Sequence, residues 1–157
     1  MATESKIVFF SIALMLTFSF SSCNKDNDVI PDVYVDFTMD INDPQFVDLA
    51  GVGNHVIVTS QTNNWGAEAA GYNYNGIIVY TSDINVFNAY DRTCPHDYSI
   101  DGSSIKLNID FTIAICPQCS TIYALSAGGV AYSGPGKYPL KNYKTSFDGR
   151  YIRVWNY

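Results

Sequence analysis

An all-β, antiparallel domain is what this chain predicts. Three features predict it: short apolar groups with a period of two, turn-forming pairs between them, and no window that sustains a helical period. Composition agrees, because hydrophobic residues at 47% and charged residues at 15% exclude the disordered and low-complexity classes. The aromatic content, 12 Tyr, 9 Phe and 2 Trp, favours strands. Nine basic residues against 15 acidic ones give a net charge of −6. A net-acidic surface repels phosphate backbones, so no nucleic acid is expected as a partner.

The first 22 residues read as an export signal. Met1 to Lys6 are polar with one lysine, and Ile7 to Phe20 run apolar, interrupted by Ser11, Thr17 and Ser19. That run is shorter than the ~20 residues a transmembrane helix needs. Ser21, Ser22 and Cys23 follow, and from Asn24 the chain turns polar. This resembles a bacterial lipoprotein signal, with Phe20 where that pattern usually has Leu. The resemblance implies lipid on Cys23, a membrane anchor there, and an outer-membrane location facing the periplasm or the exterior. An ordinary secretory signal cut near Ser22 is the alternative, and it also exports the chain. Residues 23–32 then read as a polar, solvated tether, and 33–157 as one domain.

Within the domain, Val33, Val35 and Phe37 alternate with Asp32, Tyr34 and Asp36, which predicts a first strand. His55 to Thr59 and Ile77 to Thr81 are β-branched apolar runs, each long enough for a strand. Between them, Gln61 to Asn75 is rich in Asn, Gly and Ala and predicts a loop, with Trp65, Tyr72 and Tyr74 packing on the sheet. Ile105, Leu107 and Ile109 alternate with polar neighbours, and Phe111 to Ile115 follows as a partner strand. Asp148-Gly149 separates Tyr143–Phe147 from Tyr151–Trp155, a hairpin signal. The architecture expected is a sandwich or small barrel.

The chemistry-bearing residues sit in two short groups. Cys94-Pro95-His96 is followed, after nineteen intervening residues, by Cys116-Pro117-Gln118-Cys119. Soft donors arranged as two pairs across a hairpin-length insert are what a buried metal centre requires, because each turn supplies two donors. His55 has no second donor near it in sequence and is left out of the site.

These groups resemble the Rieske family of [2Fe–2S] domains, whose pattern is CxH, a spacer of about this length, and CxxH. The resemblance continues through Ser120-Thr121-Ile122-Tyr123, through Gly128-Gly129, and through Gly134-Pro135 of the loop that covers the cluster in that family. Tyr138-Pro139-Leu140 and Tyr143 match the strand that follows. The similarity spans Ala89 to Tyr157, with the cluster-binding part at about 89–140. It implies a Rieske-like fold with a subdomain of two loops. It also implies a [2Fe–2S] cluster held by Cys94 and Cys116 on one iron and by His96 and Cys119 on the other. Thr121 and Tyr123 would place hydroxyls near cluster sulfurs, and Pro135 would lie in the cover. Cys119 departs from the family by replacing its second histidine, and Tyr98 stands where the first loop commonly has glycine. A thiolate in place of a neutral imidazole adds one negative charge, which lowers the expected potential.

Two other readings of the thiols stand beside this one. Cys94 and Cys116 could close a disulfide in a metal-free surface module with a structural or recognition role. Alternatively, Cys94, His96, Cys116 and Cys119 could hold Zn²⁺, although Cys-x-His is tighter than usual zinc spacing. No nucleophile elbow, P-loop or dinucleotide fingerprint is present. A self-contained enzyme is therefore not expected, and the Rieske resemblance implies instead a single-electron carrier serving a partner redox protein.

Overall fold

The computed structural model describes residues 28–157. The expected signal over 1–22, Cys23 and the first part of the tether lie outside the described residues. Among those described, no helix is long and apolar enough to cross a membrane.

The domain is all-β and antiparallel, as expected. A six-stranded sheet is built from β1 (Asp36–Asp40), β2 (His55–Val58), β3 (Ile77–Asp83), β4 (Val86–Asp91), β9 (Asn142–Phe147) and β10 (Tyr151–Trp155), in the order β1-β10-β9-β4-β3-β2. A four-stranded sheet runs through β5 (Asn108–Asp110), β6 (Ile113–Ile115), β7 (Ile122–Ala124) and β8 (Val130–Ser133) in chain order. The hairpin across Asp148-Gly149 forms with Ile152 opposite Phe147.

Alternation decides which side chains go inside. Phe37 and Met39 of β1, Ile152 and Val154 of β10, Tyr143 of β9, Phe87 and Ala89 of β4, and Ile77 and Val79 of β3 all enter one core. Because strands from both edges of the large sheet share this core, the sheet wraps around it. Trp65 closes its open side, stacked 5.3 Å from Phe46 and tilted 5.3 Å from Phe37. The loop of residues 61–75 therefore packs as expected at Trp65, whereas Tyr74 faces solvent.

The other face of β3 and β4 carries Ile78, Tyr80 and Tyr90, and these meet Leu107, Ala114, Tyr123 and Leu125 in a second core that also contains Cys94 and Cys116. Burial on both faces explains why Ile77 to Thr81 reads as an unbroken apolar run. The candidate ligands thus grow out of packed apolar structure, which fixes where their backbones lie.

Two expectations are corrected. A seven-residue helix, α1 (Pro95–Asp101), begins directly after Cys94, where only strands and loops are expected; Pro95 at its first turn supplies a preset φ, and Gly102 ends it in the left-handed region. Phe111 is not in a strand: with φ of 48° it makes the β5–β6 turn and stands 80% exposed. Residues 28–32, the described part of the expected tether, lie against the domain. Ile30 is buried, and Asp28 and Asp32 both pair with the buried Lys141 ammonium, at 2.9 and 2.7 Å. A buried cation requires counter-charges, and this acidic segment supplies them.

Asp91 ties the two cores together. Its carboxylate accepts hydrogen bonds from the Tyr72 amide at 2.6 Å, the Thr93 amide at 2.9 Å and the Tyr143 hydroxyl at 2.7 Å. Burial outweighs these donors and raises its pKa above the ordinary 3.8. A raised folded-state pKa contributes stability that is present below the unfolded value and is lost as pH rises through the folded one. In urea unfolding, wild type should therefore hold a larger advantage over Asp91→Asn at pH 4 than at pH 7. An advantage that grows with pH would reverse the sign of this assignment.

Candidate metal centre

Two turns, each fixed by backbone hydrogen bonds, carry the site. Cys94 is held by an amide bond to the Ile105 carbonyl at 2.9 Å and is the residue from which α1 springs. Cys116 opens the second turn: its amide donates to the Thr121 carbonyl at 2.9 Å, and the Ser120 amide returns to the Cys116 carbonyl at 3.1 Å. Ser120 closes that turn with φ of 59°.

The turns bring three thiols together. Cys94 Sγ lies 3.7 Å from Cys119 Sγ, and all three cysteines are free thiols. The Asp97 carboxylate completes the group, since its oxygen and the sulfurs of Cys94, Cys116 and Cys119 all lie within 4.8 Å of one another. Cys116 donates its thiol hydrogen to Asp97 Oδ2 at 2.8 Å. Sequence reasoning passes over Asp97 because it belongs to no motif; the signal available is an acid three residues after a cysteine, on the first turn of a proline-initiated helix.

His96 is placed elsewhere. It is half-buried and lines a cleft with Ser99, Ile100, Pro135, Lys137 and Tyr138, and it is not part of the four-residue donor group. Pro135 of the glycine-rich loop thus borders His96. Tyr98 packs edge-on against Tyr72 with ring centroids 5.3 Å apart. His55 is on β2, beside Asp48, Asn54 and Phe111, and apart from the thiols.

Two hydroxyls reach the sulfurs. Tyr123, fully buried, has its phenol oxygen 3.4 Å from Cys94 Sγ, and Thr121 Oγ1 lies 3.2 Å from Cys119 Sγ. Thr121 also accepts the Gly136 amide at 3.0 Å, which ties the covering loop to the site. That loop approaches closely: a Cβ built on Gly136 would lie 2.4 Å from Thr121 Cγ2, and one on Gly134 would lie 2.7 Å from Thr121 Cα.

Burial sets the electrostatics of the thiols. Burial pushes the Cys94 thiol up to about 11. Burial, and then the facing Asp97 carboxylate, push Cys116 further up. Burial opposes the Asp97 charge, but hydrogen bonds from the thiols of Cys116, Cys94 and Cys119 outweigh it and hold the carboxyl below its usual range. A soft metal ion binding here must displace the thiol protons. Thiolates with one hard oxygen donor, in a pocket closed by packed side chains, suit iron–sulfur or zinc chemistry and not calcium or magnesium.

No family model and no curated protein matches this chain. Among solved structures, a ferredoxin of Sphingomonas yanoikuyae B1 is similar at 21% identity with a TM-score of 0.39, covering 52% of this chain and 74% of that chain. The chemistry of the site therefore rests on its own residues.

Proposed function

We propose that this protein is a single-electron carrier whose centre is a [2Fe–2S] cluster held by Cys94, Cys116 and Cys119 and by one further, non-sulfur ligand, the place for which the Rieske resemblance offers His96. The observation that carries the reading is the convergence of three buried or half-buried thiols from two turns, within 4.8 Å of one another. When bound, such a cluster supplies a one-electron couple. The protein's part is to hold it, shield it and tune it. The second core excludes water from Cys94 and Cys116, and the loop through Gly134 and Gly136 seals the Thr121 side. The Tyr123 hydroxyl lies within reach of the Cys94 sulfur, and Thr121 Oγ1, which accepts the Cys119 thiol hydrogen in the metal-free protein, would turn to donate once that thiol is ionised; donors of this kind stabilise the reduced, more negative state and raise the potential.

In this reading the chain is exported, is anchored by lipid on Cys23 at the outer membrane, and exchanges electrons with a partner redox protein that performs any substrate chemistry. Anaerobic reconstitution of the mature protein with iron and sulfide should give about two irons per chain, visible absorption, and bleaching by one electron. Colourless protein that takes up no iron would defeat the reading.

The 3.7 Å approach of Cys94 and Cys119 favours one second reading, a metal-free recognition module stapled by a disulfide. The pair brought together for it is Cys94–Cys119 rather than the Cys94–Cys116 pair expected from sequence. Thiol counting on protein made in an oxidising compartment separates the two: the stapled form has one free thiol, on Cys116.

A further inference from the structure

The position of α1 changes which side chain faces the thiols. In a loop, Cys-x-His spacing can place both donors on one side. Here the chain enters a helix at Pro95, so each residue turns by about 100° relative to the last. Asp97, three residues beyond Cys94, comes back toward the start of the helix, the same return that a residue at this position makes in a capping box. His96, one residue earlier, turns into the cleft beside Pro135, Lys137 and Tyr138.

We infer that Asp97, not His96, is the fourth protein ligand of the metal centre, giving a site of three thiolates and one carboxylate. The inference rests on the metal reading above and refines it. Four observations support it. The carboxylate oxygen belongs to the compact donor group and the imidazole does not. Asp97 is only 6% exposed, an unusual location for a carboxylate that has no cationic partner among the described residues. Its oxygen lies 2.8 Å from Cys116 Sγ, a thiol that must lose its proton to ligate. Finally, the 3.7 Å separation of Cys94 and Cys119 sulfurs matches the edge of a tetrahedron with metal–sulfur bonds of ~2.3 Å. The sulfurs of Cys94 and Cys119 are therefore already spaced to share one metal ion. A carboxylate ligand also makes the centre more negative than a neutral imidazole would, and it frees His96 to face a partner.

Co²⁺ is a suitable probe, because it takes tetrahedral thiolate sites and reports them by visible bands. Reduced, metal-free mature protein is titrated with Co²⁺ under anaerobic conditions, alongside Asp97→Asn and His96→Asn. The expected result is one Co²⁺ per wild-type chain with tetrahedral thiolate bands. Asp97→Asn should lose about a hundredfold in affinity, and His96→Asn should stay within about twofold of wild type. The reverse ranking overturns the role of Asp97 and leaves the metal reading intact. A wild-type chain that binds neither Co²⁺ nor iron overturns both. Should Asp97→Asn fail to fold, the ring ¹⁵N signals of the two histidines in wild type decide. Neither should move to the position of a metal-bound nitrogen on Zn²⁺ addition, and a metal-bound histidine signal would refute the inference.

Discussion

Cys116→Ser should abolish metal binding while the β-domain stays folded. Cys116 is 1% exposed, and its sulfur faces the Asp97 carboxylate across 2.8 Å. A serine oxygen is a harder donor with a shorter reach and a far higher pKa, so it neither ionises nor bridges to the same metal position. Affinity for Co²⁺ or Zn²⁺ should fall by more than about a hundredfold, or roughly 3 kcal/mol. The metal-free fold should change little, because the new hydroxyl inherits the Asp97 acceptor and the volume change is small. Metal analysis together with far-UV circular dichroism checks both halves. Full metal occupancy in the serine variant would remove Cys116 from the ligand set.

Gly134→Ala should have the largest effect on stability. Gly134 has φ of +88°, where a side chain is strained, and its added Cβ would lie 2.7 Å from Thr121 Cα and 3.0 Å from the Ser120 carbonyl. These are backbone atoms of the turn that carries Cys119, so they have little room to yield. Strain and clash together should cost about 3 kcal/mol. For a domain of this size that is a fall of about 10 °C in Tm. The displaced loop should also expose the thiols, so Cys119 should react faster with an alkylating reagent. A Tm within about 2 °C of wild type would mean that the loop does not bear on Thr121 in solution.

How far the fold could be read from sequence depends on how local its signals are. The β9–β10 hairpin was legible because its turn pair and both alternating strands lie within fifteen residues, Tyr143 to Trp155 among them. The strand β4 is harder to see. Val86, Asn88 and Phe87 offer only a weak alternation, and its turn rests on Asn85 at φ of 60°. The helix α1 is too short for a period to register, yet its seven residues decide which side chain faces the thiols. The docking of Asp28 and Asp32 depends on Lys141, more than 100 residues away, and no local pattern announces it. At the site, the grouping of Cys94, Cys116 and Cys119 followed from two short motifs across a hairpin. The place of Asp97 did not, because it depends on helical rotation rather than on spacing.

X-ray absorption at the zinc edge of the Zn²⁺-loaded mature protein tests the central claim most directly, since it counts the donors on the metal. Three sulfur neighbours at about 2.3 Å with one light atom closer in is the result expected from Cys94, Cys116, Cys119 and a fourth, non-sulfur ligand. A shell made only of nitrogen and oxygen neighbours would contradict the account, because the three thiols would then not hold the metal together.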